Sequence, residues 1–468
     1  MEFLRRLQNR IIIFDGAMGT MLQKSGIKPN ECPEYWNLLY PEVIIAIHKA
    51  YLNAGADVVQ TNTFGANRIK LKEYNLEHKL EDIVGAAVSN ARKATYDRGL
   101  VALSVGPTGK LMKPYGELSF DEAYEVFKEL IVCGAKNGVD LISIETMIDL
   151  QEIKAALLAA KENTNLPVVC QMTFNANGRT ETGTDFITAA TVLQALGADV
   201  VGANCAIGPS ELIKMIEQVN ELIDFPIIVQ PNAGIPQYIS GETVYSLTPE
   251  EFANYGKIFV ELGVNLLGGC CGTTPEHIEK LANAVQNLSP KYKEKKLITK
   301  VSSRIQTVAA GKDFPTVIIG ERINPTARKV LAEEIKGGKF HLIEQEAQQQ
   351  VEAGANIIDV NVGIPLINQI NTMYNVVNLL QRSINNPLSI DSNDPKVLEA
   401  GLKAYIGKPL VNSVTGEEKN LDIILSLVKK YGAAVIALTL DDKGIPEKAR
   451  DRIKIAEKII KKAQEFKI

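Results

Sequence analysis

Gly268-Gly269-Cys270-Cys271-Gly272-Thr273-Thr274 follows an apolar run over residues 264–267. That run reads as a buried strand, and three glycines around two adjacent cysteines describe a strand that ends in a sharp bend. Adjacent residues of a regular strand face opposite ways, so only a broken strand end aims both thiols at one point. Residues 198–204 form a similar strand that Cys205 closes. If both strands belong to one parallel barrel, their C-terminal ends share a face and three sulfurs converge there. Three thiolates with an open fourth position describe a catalytic zinc site. The other reading of the adjacent cysteines is a packed pair or a strained vicinal disulfide.

Outward from that stretch, short apolar runs alternate with helical periodicity, the pattern of βα units on a parallel sheet. The strands end at Asp15, Thr63, Gly106, Glu145, Thr173, Cys205, Asn232 and Cys270, with amphipathic stretches over 41–55, 120–138, 149–163, 209–223 and 248–263. Eight such units over residues 1–288 predict an α/β fold, a (β/α)8 TIM barrel with its active site at the strands' C-terminal ends. Residues 289–315 turn to Lys, Ser, Thr and Gln and read as a linker. A second pattern fills 316–468, with strands over 317–321, 357–362, 388–391, 410–414 and 434–440 and a last helix over 446–466. A complete barrel needs roughly 250 residues. This second domain therefore reads as an incomplete βα barrel: truncated, completed by another polypeptide, or an open sheet whose uncovered edge promotes association.

The chain has 468 residues, of which 46% are hydrophobic and 23% charged, with a formal net charge of -4. These are the proportions of a soluble protein with sizeable cores. No basic block points to nucleic acid, and no run reaches membrane-spanning length. The apolar run 11–14 stops at Asp15, too short for a secretory core. Six cysteines in so long a chain suit a reducing cytoplasm better than a disulfide framework. Cys32, Cys133 and Cys170 stand alone and read as packing or incidental surface.

Zinc held by three thiolates carries about one negative charge, and a substrate thiol entering the fourth position loses its proton and stays electron-rich. Such a site suits alkyl transfer to a thiol better than hydrolysis. In Asp15-Gly16-Ala17-Met18-Gly19-Thr20 the backbone N–H groups, those of Gly16 and Ala17 first, are placed to receive a small anion such as a carboxylate. Asp15 is placed to hold an ammonium group; as a turn or helix cap it would be structural. Glu145 is a carboxylate in a nearly all-apolar strand, costly without a partner. Together these groups would grip both ends of an amino acid whose side-chain thiol reaches the zinc. Asn232 would orient substrate or occupy the metal's open position, or form a turn before Ala233-Gly234. Asn62 is a weaker member of the same ring. His277, in the first turn of a helix, reads as a solvated helix residue rather than a ligand.

Asp15-Gly-Ala-Met-Gly-Thr, Thr61-Asn-Thr-Phe-Gly, Gly106-Pro-Thr-Gly, Glu145-Thr, Asn204-Cys205, Pro231-Asn-Ala-Gly and Gly268-Gly-Cys-Cys-Gly-Thr-Thr-Pro, in that order, resemble the homocysteine-binding domain of the cobalamin-dependent methionine synthase family. The resemblance spans about residues 10–287. It implies zinc on Cys205, Cys270 and Cys271, and contacts from Asp15 and Glu145 to the amino-acid part of homocysteine. It also implies methyl transfer giving methionine, with methylcobalamin as immediate donor and 5-methyltetrahydrofolate as methyl source. The four histidines lie outside any Asp-x-His-x-x-Gly signature, so the corrinoid is expected free or on a separate protein.

In the second domain Glu321, Asn324, Asp359, Asn361, Asp391 and Asn412 sit at strand ends, where carboxylates and carboxamides match the donors and acceptors of a fused heterocycle. Each would also serve as a cap. As a set they resemble the pterin-binding domain of the same family. The family's later strands have no counterpart here, which predicts weak or absent folate binding by this chain. Other readings are a homocysteine methyltransferase using S-methylmethionine or betaine, a non-catalytic module binding homocysteine or a partner, and a redox role for Cys270-Cys271. A quaternary donor wants an aromatic cage, and Trp36 is the only tryptophan.

Overall fold

Eight parallel strands close into a barrel in the first unit of the computed structural model, which describes residues 2–96, 98–219, 222–239, 242–292, 294 and 297–468. We number them β1 (Ile12–Ile13), β2 (Val58–Gln60), β3 (Leu100–Val105), β4 (Leu141–Met147), β5 (Val168–Met172), β6 (Val200–Asn204), β7 (Ile227–Gln230) and β8 (Leu266–Leu267). Each pairs with its sequence neighbours, β8 pairs with both β7 and β1, and Phe14 bridges to Val58 so that β1 also meets β2. The expected helices form over Pro41–Asn53, Phe120–Lys136, Leu150–Asn163, Pro209–Val219 and Pro249–Glu261. Ser119 with Glu122, and Thr248 with Glu251, make reciprocal capping boxes that fix two of these starts.

Alternation along the strands divides the barrel interior into layers. Ile12, Val58, Leu100, Leu141, Val169, Val200, Ile228 and Leu266 form an apolar floor with Phe3 and Leu7 of the N-terminal helix Glu2–Asn9. Two residues further along their strands stand Gln60, Ser143, Gln171 and Gln230, all buried. Two further on are Glu145, Asn204 and Asn232. The period of two thus lifts polar groups above an apolar plug, on the side where the strands end.

The chain divides between residues 295 and 296. In the second unit β9 (Ile319–Ile323), β10 (Ile357–Asn361), β11 (Leu388–Asp391), β12 (Leu410–Thr415) and β13 (Ala434–Leu438) form a parallel sheet in sequence order. The stretch read as a linker contains an antiparallel hairpin, Thr299–Ser302 with Thr307–Ala310. It belongs to this unit: Ser302 bridges to Lys408, and the Tyr405 hydroxyl donates to the Ser302 carbonyl at 2.8 Å. A Cβ on Gly407 would lie 2.1 Å from that carbonyl oxygen, so the close approach requires glycine. Val301, Ile357 and Leu410 bury together beneath the sheet, with Val308, Ala434 and Ile436 against them. The edge strand β13 is less covered: Ala434, Val435 and Ile436 are half-buried, and Leu438 is 40% exposed. The helix Ala449–Glu465 buries Ile455 and Ile459 but leaves Ile453 and Ile460 exposed.

Among the described residues no helix is long and apolar enough to cross a membrane.

Candidate active site

β6 ends at Asn204, and the chain turns at once: Cys205 and Ala206 both take left-handed backbone angles, φ 61° and 49°. Each such residue costs roughly 1–2 kcal/mol outside glycine. The Cys205 amide donates to the Gln230 carbonyl at 3.1 Å, and the Cys205 carbonyl accepts from Ile207 at 2.7 Å, which hold the turn. After β8, the Cys270 N–H donates to the Pro231 carbonyl at 2.8 Å and the Cys271 carbonyl accepts from Ala233 at 3.0 Å. The sulfurs of Cys205, Cys270 and Cys271 consequently lie within 4.8 Å of one another.

Cys205 Sγ and Cys271 Sγ are 3.8 Å apart. Two sulfurs each about 2.3 Å from a tetrahedral zinc are separated by about 3.8 Å, so the donor set fits that ion in type and spacing. Cys271 is pulled down to about 3 by hydrogen bonds from Cys205 and then Cys270, while Cys270 is pushed up by its hydrogen bonds with Cys205 and Cys271. All six cysteines are free, and Cys32, Cys133 and Cys170 are buried away from this group.

The loop after β1 is laced to the cysteine loop. The Gly269 N–H donates to the Asp15 carbonyl at 3.1 Å, the Ala17 N–H to Thr273 Oγ1 at 3.1 Å and the Gly272 N–H to Thr20 Oγ1 at 3.1 Å. This corrects one expectation: the Ala17 N–H is already bonded, so it is not free to receive a carboxylate. The Gly16 N–H keeps no partner among the described residues.

Asp15 is 2% exposed; its Oδ2 accepts from the Gln60 N–H at 2.9 Å, and its Oδ1 is buried with no partner. Burial pushes its carboxyl well up, and the nearby Glu145 adds to this. Glu145 Oε1 accepts from Ser104 Oγ at 2.6 Å and from Gln60 Nε2. Burial, with Cys271 nearby, raises Glu145 to about 7. It stands in a bulge where the β4–β5 register shifts, beside Thr146 at φ 59°. Asn204 holds that strained residue by both amide atoms, accepting from Thr146 N at 2.9 Å and donating to Thr146 Oγ1 at 2.8 Å. Asn232 Oδ1 is buried without a partner. Asn62 instead donates to the Pro33 carbonyl at 2.8 Å, a structural bond.

Three glutamines that the sequence reading passed over cross the barrel. Gln171 Nε2 donates to Gln230 Oε1 at 2.7 Å, Gln230 Nε2 donates to Gln60 Oε1 at 2.9 Å, and Gln60 Nε2 donates to Glu145. Their signal was available: each follows a floor residue by two positions, as a strand's inward face requires. His277 is another correction. It is buried, caps its own helix with Thr274, and its Nε2 lies 3.1 Å from the Leu247 carbonyl.

In the second unit Asn361 Nδ2 donates to Asp391 Oδ2 at 2.9 Å, and Asn412 Nδ2 donates to Asp359 Oδ1 at 3.2 Å. Burial raises Asp359 to about 6 and Asp391 in the same direction. Glu321 is exposed on β9, close enough for its charge to raise Asp391 further. Asn324 is spent on a turn, its Oδ1 accepting from Thr326 N at 3.0 Å.

Residues 12–285 match the homocysteine S-methyltransferase family, and residues 320–467 match the pterin binding enzyme family. The chain is 32% identical over 482 residues to the methionine synthase of Mycobacterium tuberculosis and 31% over 487 residues to that of Mycobacterium leprae. Each alignment covers 98% of this chain and 40% of the relative, so the chain spans about two fifths of their length. The metallated form of the homocysteine methyltransferase MmuM from Escherichia coli superposes with a TM-score of 0.51 at 23% identity, over 60% of this chain and 98% of that one. That likeness concerns the fold alone.

Proposed function

The chain belongs to the homocysteine S-methyltransferase family, and from that premise we propose that its first unit transfers a methyl group to the sulfur of homocysteine, giving methionine. The observation that carries the reading is the meeting of three cysteine sulfurs, within 4.8 Å of each other, with two buried carboxylates in one barrel mouth. Cys205, Cys270 and Cys271 would hold zinc. Zinc, when bound, supplies the charge that keeps a thiol deprotonated at neutral pH.

Asp15 and Glu145 receive the substrate's ammonium group: Asp15 Oδ1 is a buried acceptor with no donor, and an ammonium offers three. Gly16 N–H is the backbone donor left for the substrate carboxylate. Asn232 Oδ1, a second buried acceptor without a donor, orients the substrate. The substrate sulfur's electron pair forms the new S–C bond while the methyl's bond to its carrier breaks and the carrier keeps that pair. No side chain need remove a proton at that step.

We assign methylcobalamin as the immediate donor and 5-methyltetrahydrofolate as the source of the methyl group. Asp359, Asn361, Asp391 and Asn412 are the residues offered to its pterin, and the pterin-family match over 320–467 supports that role. The resemblance of the sequence and the methionine synthase relatives support the donor.

The test is zinc per chain by elemental analysis, in wild type and in C205S, C270S and C271S, with proton release followed on adding homocysteine. About one zinc in wild type, lost in each variant, with proton release on substrate addition, is expected. Freshly reduced wild type without zinc overturns the reading.

A further inference from the structure

Two carboxylates in one buried mouth leave open which of their oxygens a ligand meets, and one residue settles it. The Gln60 N–H donates to Asp15 Oδ2 at 2.9 Å, and the Gln60 side-chain amide donates to Glu145 Oε1, which also accepts from Ser104 Oγ at 2.6 Å. Asp15 Oδ1 is buried with no partner, and Glu145 Oε2 takes no donor among the described residues. Gln60 thus fills one oxygen of each carboxylate and leaves the other free.

The Gln60 amide is held in one orientation. An ionised carboxylate only accepts, so Gln60 must offer it Nε2 and keep Oε1 for a donor. That donor is Gln230 Nε2 at 2.9 Å, and Gln230 Oε1 in turn accepts from Gln171 Nε2 at 2.7 Å. A reversed chain would set Gln60 Oε1 against the carboxylate, acceptor to acceptor. The far end carries the cost: Gln171 is fully buried and its Oε1 has no partner. Gly268 of the cysteine loop makes room for the crossing, since a Cβ there would lie 2.9 Å from Gln230 Nε2 and 2.8 Å from Phe14 Cβ.

We infer that Gln60, held by Gln230 and Gln171, is a positioning residue that makes the site specific for thiols carrying an ammonium group: the two oxygens it leaves free, Asp15 Oδ1 and Glu145 Oε2, are the pair that group occupies. The inference rests on the reading of Asp15 and Glu145 above. A thiol of the same length without the amine leaves both acceptors unpaired in a buried mouth, and a site built for an N–H donor rejects such a ligand strongly. The glutamine chain makes and breaks no covalent bond; it acts on which ligand is held.

The test titrates the zinc-loaded full chain with homocysteine and with 4-sulfanylbutanoate, which differs only in lacking the amino group. Calorimetry reads both dissociation constants, and zinc is measured in the same samples. Wild type should hold homocysteine about 100-fold tighter or more. In Q230M, where Gln60 Oε1 loses its donor, that ratio should fall about tenfold through homocysteine's affinity, the scale of a hydrogen bond to a charged group, with zinc retained. In an E145Q background Q230M should add nothing, because the chain acts through Glu145. Should Q230M not fold, Q171M reads the same ratio, with a fall of about threefold expected. Equal binding of the two thiols by wild type, an unchanged ratio in a variant that holds zinc, or an additive loss in the double variant overturns the inference and leaves methyl transfer at zinc standing. Equal weakening of both thiols makes the glutamines merely structural and also overturns it. Wild type that holds no zinc, or that holds zinc and binds neither thiol, defeats the earlier reading and this one with it.

Discussion

In the first unit the helix Glu2–Asn9 sends Phe3 and Leu7 into the floor of a wall that closes on itself. In the second the hairpin Thr299–Ser302 with Thr307–Ala310 underlies a five-stranded sheet. Its last strand, β13, has no further strand beside it among the described residues. Closure changes what polar side chains do. Asp15, Gln171 and Asn232 are almost fully buried, and each carries an oxygen with no donor. Asn361, Asp391 and Asn412 are only half-buried and are satisfied by one another or by Asp359. A closed wall therefore holds groups in readiness for a ligand, at the cost of leaving them unpaired. In the open sheet Asn361 pairs with Asp391 and Asn412 with Asp359, and Ser389 Oγ alone of its buried side-chain atoms is without a partner among the described residues.

The comparison breaks most visibly if the two units prove coupled. C271S should lower methyl transfer from free methylcobalamin to homocysteine by about 10³-fold, about 4 kcal/mol of barrier. Folate binding in the second unit, read by titration, should not change. A folate defect in C271S would show that the two sites are not independent.

The contrast in burial is sharpened by matched carboxylate substitutions. D15N should raise the homocysteine KM about 100-fold, the scale of a buried charge that loses its partner, whereas D391N should lower the weak folate binding expected of this chain by about tenfold or less. Floor substitutions extend the contrast to stability. L7A should cost about 2–4 kcal/mol and V301A about 1–2 kcal/mol, the smaller figure following first from valine losing two carbons to leucine's three. Denaturant titrations following each unit separately would read both.

Glu145 supplies a pH signature for the closed wall. Its carboxyl is raised from 4.5 to about 7, so below that value it is protonated and neutral toward an ammonium. The kcat/KM for homocysteine should therefore rise about tenfold per pH unit up to near 7 and then level, and E145Q should lose that limb. The same shift has a sign for stability. Between 4.5 and about 7 the unfolded chain releases the proton first, so the free native state loses stability as pH rises across that window. Last and smallest, I460K on the exposed stripe of the helix Ala449–Glu465 should change stability by less than about 0.5 kcal/mol. Self-association measured by sedimentation should fall if that stripe drives it.

The barrel was legible because each strand is an apolar run whose end carries a conspicuous residue. Cys205, Cys270, Glu145 and Asn232 could be placed on one rim by counting strands alone. What stayed hidden depends on partners far apart in the chain. The Ala17 N–H looked free until Thr273, 256 residues away, was seen to accept from it. His277 looked solvated until the Leu247 carbonyl was found over its ring nitrogen. Gln60, Gln171 and Gln230 escaped notice because a buried amide is a smaller anomaly than a buried carboxylate, although the same alternation places them beside Glu145. The hairpin in the supposed linker escaped because its two strands are four residues each, too short for periodicity to register.

β8 has a consequence in time. It pairs with both β7 and β1, and the sulfurs that follow it join one that left the ribosome 66 residues earlier. At about 5–20 residues per second of synthesis, Cys205 waits roughly 3–13 s for Cys271 to be made. For that interval Cys205 stands without its partners from the later loop beside an unsealed wall. Under the zinc reading proposed above, the last metal ligand and the strand that closes the barrel would be made at nearly the same moment.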